Sequence, residues 1–280
     1  MTSEHRAAEM RVSTIDVGGQ RLRIAIQGGG GAGYPLLLLN GLGANLELFQ
    51  PFIDQLDAGI ETIRVDLPGA GESPAPPVPL RFRGLARLVA RMLDQLTYGR
   101  VDVLGVSWGG ALAQQFAHEY GDRCRRLVLV STGTGAIMVP GRLSALLKMT
   151  NARRYQDPSY LASIAGRLYG GRLRSNPELA ARFAREVRAG EPQGYFRQML
   201  AAVGWTSIHW LHRLPQPTLI LTGRDDPIVP CLNGGIMAWL IPDSRLHIFE
   251  DGHVGLVTSA EELAPIVRTF LTEGKGPQAG

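Results

Sequence analysis

Lysine is almost missing from this chain. Lys148 and Lys275 are the only two, so nearly every basic side chain is arginine. The formal net charge is +4. No basic block interleaved with aromatics occurs, which gives a nucleic-acid partner little support. Cysteine is scarce as well. Cys124 and Cys231 lie far apart, in no metal or redox motif, and read as buried free thiols of a reducing compartment. No apolar run reaches the ~18 residues of a membrane span. The start, MTSEHRAAEMRV, lacks a basic stretch followed by an apolar core, so no secretory signal and a cytoplasmic location are expected. Aromatic residues make up only 7%.

Apolar residues, by contrast, make up 45% of 280, enough for one large domain or for a core with a lobe. Glycine (35) and proline (18) suit a fold with many connecting loops. Charge is uneven. Between Arg142 and Glu191 there are ten Arg or Lys against four Asp or Glu. That stretch reads as a solvated helical surface; the alternative is a face that meets an anionic partner.

Periodicity orders the chain. Residues 1–10 read as a loose tail. Arg11–Val17 and Arg21–Gln27 alternate apolar and polar around Gly18-Gly19, a hairpin pattern. GGGGAG (28–33) matches G-x-G-x-x-G through Gly28, Gly30 and Gly33. It leads into a strand, not a helix, so it reads as a loop rather than a dinucleotide site. Short apolar runs at Leu36–Leu39, Thr62–Val65, Val101–Leu104 and Leu127–Val130 read as strands. Leu85 to Leu96 and Ala111 to Tyr120 read as helices. From about 137 to 212 the pattern is helical with no clear strand. Strands return at Thr218–Leu221 and Leu246–Phe249, then a helix at Glu261–Leu271 and a polar tail, GKGPQAG. The expected fold is α/β, a mostly parallel sheet with helices on both faces. A helical cap (137–212) would divide its core into 1–136 and 213–280. In such sheets, sites lie at the carboxyl ends of the strands.

GVSWGG (105–110) falls at such an end, between a strand and a helix. A sharp turn there lifts the Ser107 side chain into a cleft, and Gly105 and Gly109 relieve the crowding this creates. A serine hydroxyl needs a base to take its proton. Six histidines are candidates: His5, His118, His209, His212, His247 and His253. His5 is in the tail, His118 in the helix after Ser107 and His247 inside a strand. His209 and His212 fall at the cap edge, as core or pocket wall. His253 follows the last strand in EDGHVGL and is the expected base. The orienting acid should follow the preceding strand, where LILTGRDDPIVP offers Asp225 and Asp226. Asp226 precedes Pro227, which stiffens the loop, and is the choice; Asp225 reads as a turn or surface carboxylate. An oxyanion would meet the backbone N–H groups of Trp108 and of Leu42. Asn40 and Gly41 would shape the turn in NGLGAN (40–45), with Asn40 reaching either Ser107 or the loop.

These stretches resemble the α/β-hydrolase superfamily, and more narrowly the bacterial intracellular medium-chain-length polyhydroxyalkanoate depolymerases. The resemblance runs from about residue 11 to 272. NGLGANLELFQPFI, GVSWGGALAQQFAHEY, MVPG (138–141) and GWTSIHWLHRL (204–214) carry it. It implies a Ser107–His253–Asp226 triad acting on a polyester of 3-hydroxy fatty acids, without metal or organic cofactor. It also implies an apolar cap for alkyl side chains and contact with a polyester granule. Gly255 departs from the family, which usually has a larger residue there. A carboxylesterase or lactonase for small esters shares the same motifs. A binding protein that kept the fold is the alternative from another class.

Overall fold

Gly18 and Gly19 have φ of 63° and 88°, the left-handed pair that a two-residue hairpin turn requires. They join β1 (Arg11–Val17) to β2 (Gln20–Gln27), antiparallel, with Val17 opposite Gln20. The computed structural model describes residues 10–29, 33–151, 153–187 and 191–274. Nearly all of the expected N-terminal tail, the tail GKGPQAG beyond Gly274, and the middle of GGGGAG lie outside the described residues.

Six further strands follow: β3 (Leu36–Leu39), β4 (Thr62–Val65), β5 (Val101–Val106), β6 (Cys124–Val130), β7 (Thr218–Gly223) and β8 (Ser244–Phe249). Among the described residues they form one sheet in the order β1-β2-β4-β3-β5-β6-β7-β8, parallel from β4 to β8. All four leucines of β3 are fully buried. Leu37 and Leu39 face one core layer, with Val103, Leu127 and Leu129; Leu36 and Leu38 face the other, with Leu104, Val128 and Leu221. A parallel strand covered on both faces reads as a continuous apolar run, which is why LLLL does not alternate.

The helices of the core are α1 (Gln50–Asp54), α2 (Phe82–Gln95) and α3 (Trp108–Glu119). Between β6 and β7 come α4 (Leu143–Met149), α5 (Arg153–Gln156), α6 (Pro158–Tyr169), α7 (Arg172–Ser175), α8 (Pro177–Glu186) and α9 (Pro192–Ala202). The chain closes with α10 (Leu232–Leu240), α11 (Gly255–Thr258) and α12 (Ala260–Thr272). Helices α2 and α3 cover one face of the sheet, α1 and α12 the other. The helices between β6 and β7 have a third cluster of their own, built on Leu161, Ile164, Leu168 and Phe183. It rests on Leu48, Ile228 and Val229 from the loops at the strand ends.

Some boundaries differ from the sequence reading. β8 starts at Ser244, two residues before the apolar run, because an edge strand keeps polar residues in its ladder. α3 starts at Trp108, through Gly109 and Gly110, which have poor helix propensity. A Cβ on Gly110 would lie 2.5 Å from Thr132 Cβ, so close packing selects glycine there. α1 and α11 are too short to show a period. Cys124 is buried, while Cys231 is only half-buried; both are free.

The stretch Trp205–Leu214 packs on the core. Trp205 Nε1 donates to Gln115 Oε1 (2.6 Å), Ser207 Oγ to Gln114 Oε1 (2.6 Å), and Trp210 stacks on His118 at 4.2 Å. Two of the signature stretches are thus neighbours in space. His209 and His212, expected as core or pocket wall, are both exposed. Trp205 and Trp210, both half-buried, pack against the core instead.

Candidate active site

Ser107 sits between β5 and α3 with φ 53° and ψ −117°. A non-glycine residue at positive φ is strained and must be held by its surroundings. Here Ser107 N donates to Val130 O (2.9 Å), and Thr132 Oγ1 donates to Ser107 O (2.7 Å). The turn leaves no room beside it. A Cβ on Gly105 would lie 2.4 Å from Gly109 O, and one on Gly109 2.1 Å from Leu39 O.

Three side chains meet at this point. Ser107 Oγ is 2.9 Å from His253 Nε2, and His253 Nδ1 is 2.7 Å from Asp226 Oδ2. An ionised carboxylate only accepts, so Nδ1–H donates to Asp226 and leaves the Nε2 lone pair facing the serine hydroxyl. Asp226 Oδ1 accepts from Ile228 N (2.8 Å) and Val229 N (2.9 Å), which fixes the carboxylate plane. Asp226 and His253 are only 6% and 5% exposed, so bulk water does not compete for these bonds.

Asp225 faces the other way. It accepts from Gly171 N (2.8 Å) and pairs with Arg174 (2.7 Å), tying the start of α7 to the core. Its neighbour loop is tied in the same manner. Asp251, 2% exposed, accepts from Arg172 N (2.7 Å), Thr258 Oγ1 (2.6 Å) and Ser259 Oγ (2.6 Å). His253 N donates to Tyr169 O (2.7 Å), and the Tyr169 ring stacks parallel to the imidazole at 6.3 Å. MVPG lies near the Asp226 loop: Asn233 clasps Val139 through both N and O, and Arg142 N, one residue on, donates to Pro227 O (2.8 Å).

Asn40 turns to its own loop, away from Ser107. Its Nδ2 donates to Asn45 O and its Oδ1 accepts from Gly41 N, both at 2.8 Å. Gly41 lies over Ser107, where a Cβ would be 3.7 Å from Ser107 Cβ. A cavity partly open to solvent lies over Ser107 and His253, and Gly41 and Leu42 line it. Its wall is mostly apolar, with Leu48, Phe49, Met149, Phe183, Val187 and Leu256. Arg154, 1% exposed, is on that wall too and donates to the hydroxyls of Tyr169 (2.8 Å) and Tyr195 (2.9 Å). Gly255 faces the Phe249 ring, 2.1 Å from where its Cβ would be, so packing beneath the cavity accounts for the glycine. Among the described residues no group of three or more His, Cys, Asp or Glu is gathered as a metal ion would need.

The sequence reading missed Asp251, Arg154 and Gln198, each of which bonds to a partner on another element. Gln198 spans 155 residues to reach Gly43 N (2.8 Å).

The family model for the alpha/beta hydrolase fold matches residues 34–260. The chain belongs to the α/β-hydrolase family. This hydrolase is 53% identical over 260 residues to a poly(3-hydroxyalkanoate) depolymerase of Ectopseudomonas oleovorans, covering 93% of this chain and 92% of the other. It is 31% identical to a 2-hydroxy-6-oxo-6-phenylhexa-2,4-dienoate hydrolase of Comamonas testosteroni, over 80% of each chain. Its fold superposes on the crystal structure of the enol-lactonase from Burkholderia xenovorans with a TM-score of 0.81 at 23% identity, covering 93% and 100% of the two chains. This α/β-hydrolase is an ester hydrolase. No helix among its described residues is long and apolar enough to cross a membrane.

Proposed function

We propose that Ser107, His253 and Asp226 are the nucleophile, the general base and the orienting acid of a hydrolase for medium-chain-length poly(3-hydroxyalkanoate). The observation that carries the reading is the Ser107–His253–Asp226 chain of contacts at 2.9 and 2.7 Å, opening on an apolar cavity. The 53% identity to a poly(3-hydroxyalkanoate) depolymerase supports a polyester of this class as substrate.

Ser107 Oγ attacks the ester carbonyl while His253 Nε2 takes its proton. The backbone N–H groups of Leu42 and Trp108 hold the oxyanion. Asp226 stabilises the imidazolium, which then protonates the departing alkoxide. Water attacks the acyl-enzyme by the same route and frees a 3-hydroxy acid. The apolar wall takes the alkyl side chain of the monomer. The helical insert (137–212) serves as the cap, between core segments 1–136 and 213–280. Leu143 and Leu147, one turn apart on α4 and 70% and 62% exposed, would meet the polymer or granule surface, while Met149 at the same helix's end lines the cavity.

The test is clearing of a turbid medium-chain-length polyhydroxyalkanoate suspension, with p-nitrophenyl octanoate run in parallel and Ser107→Ala as blank. Clearing by the wild type alone is expected. Octanoate hydrolysis without clearing would replace the polymer by small soluble esters or lactones. Failure of an organophosphonate to label Ser107 would leave a binding protein with a hydrolase fold.

A further inference from the structure

Helix α9 crosses the loops at the strand ends through a glycine–glycine contact. A Cβ on Gly69 or on Gly194 would lie 2.5 Å from the other's Cα, so nothing larger fits at the crossing. Arg197 donates to Pro76 O and Arg81 donates to Leu200 O, fixing the helix along its length. In the middle of this contact sits Gln198, 4% exposed. Its Oε1 accepts from Gly43 N (2.8 Å), its Nε2 donates to Pro68 O (3.0 Å), and its backbone carbonyl accepts from Trp108 Nε1 (2.9 Å). Gly43 follows Leu42 and has φ 72°, so its amide fixes the peptide next to the Leu42 N–H. Trp108 is the residue after the nucleophile. One residue of the insert therefore touches both segments whose amides are assigned to the oxyanion, the Gly43 turn through its side chain and Trp108 through its backbone carbonyl, and it does not line the cavity.

We infer that Gln198 is a positioning residue for the oxyanion hole, through which α9 of the insert sets the rate of a site built on the core. The inference rests on the serine-hydrolase reading above. An oxyanion hole works only when its donors are already aimed at the developing charge, so a small displacement costs rate more than substrate binding. A buried glutamine that merely satisfies its neighbours would affect stability alone.

The experiment compares the wild type with Gln198→Met, which keeps the volume and removes both side-chain bonds, and Gln198→Glu, which keeps an acceptor for Gly43 N. The readouts are kcat and KM for p-nitrophenyl octanoate, the affinity for an alkylboronic acid that forms a tetrahedral adduct with Ser107, and the thermal midpoint. Gln198→Met is expected to lower kcat about 10- to 100-fold with KM within about two-fold. Boronate affinity should fall in step, and Gln198→Glu should recover part of both. Wild-type kcat and boronate affinity in folded Gln198→Met would overturn the inference, even with a lowered midpoint. If Gln198→Met does not fold, Trp108→Phe, which removes the indole bond to Gln198 O along with part of the packing on Phe82, decides by the same two readouts: wild-type values in it would overturn the inference. A wild type that neither turns over the ester nor binds boronate would overturn the serine-hydrolase reading itself.

Discussion

Asp226 shows how much of a side chain's work is geometric. Its two oxygens divide the labour: Oδ1 is held by the amides of Ile228 and Val229, and Oδ2 faces His253 Nδ1. Asp226→Asn would keep an acceptor for the two amides but turn an NH₂ toward the imidazole. The ring would then present its proton to Ser107 instead of its lone pair. Steady-state hydrolysis of p-nitrophenyl octanoate should show kcat lower by about 10⁴-fold, with an unchanged far-UV circular dichroism spectrum. At this scale the sequence is informative. Gly105 and Gly109 flank Ser107 because backbone atoms occupy the space of their Cβ atoms, and that requirement is local to one turn. The three polar residues brought together are also readable, because the sites of such sheets fall where strands end. Asn40 is not: both of its hydrogen bonds stay within its own loop, and composition alone left it two partners.

At the scale of elements, the loops of Asp226 and His253 are bolted to the helices between β6 and β7. The junction of α6 and α7 supplies Tyr169 O to His253 N, Gly171 N to Asp225, and Arg172 N to Asp251. Gly170 and Gly171, with φ of 72° and 52°, make the turn, and a Cβ on either would lie 1.9 Å from Asp225 O or Asp251 Oδ1. Asp251 is the hinge pin of this joint. Asp251→Ala would leave two hydroxyls and two amides without their acceptor in a buried place, a loss on the order of 3 kcal/mol. Urea unfolding should show that loss, and kcat should fall with it as the His253 loop slackens. An undiminished midpoint would mean that other groups fasten the loop. Short elements escaped the sequence reading for a related reason. α11 is a single turn after His253, too short to be stable alone, and buried Leu256 and the bond from Ser259 N to Gly255 O hold it.

Across the whole molecule, charge links the far hairpin to the site. Arg23 on β2 pairs with Glu47 (2.7 Å) and with buried Asp66 (3.3 Å). Asp66 in turn accepts from Leu46 N (2.7 Å), and Glu47 accepts from Asn45 Nδ2 (2.7 Å), just beyond the Leu42 turn. Burial raises the pKa of Glu47, but the hydrogen bonds from Arg23 and Asn45 outweigh it and hold the carboxyl at about 2, from an ordinary 4.5. A depressed acid stabilises the fold above its unfolded value, and that contribution is lost as pH falls from about 4.5 toward 2. Thermal melts of wild type and Glu47→Gln should therefore differ at neutral pH and converge only as pH approaches 2. A constant gap would show that Glu47 contributes no proton linkage. The sequence by itself determined the α/β alternation, the elbow, the hairpin and the order in which serine, acid and histidine follow their strands. Each follows from sterics or periodicity within a few residues. The tertiary structure alone decided that Gln198 reaches Gly43, that Asp251 locks α7 to the His253 loop and that Arg154 lies on the cavity wall. Those contacts join segments up to 155 residues apart, and no local spacing encodes which buried polar groups will meet once two faces pack.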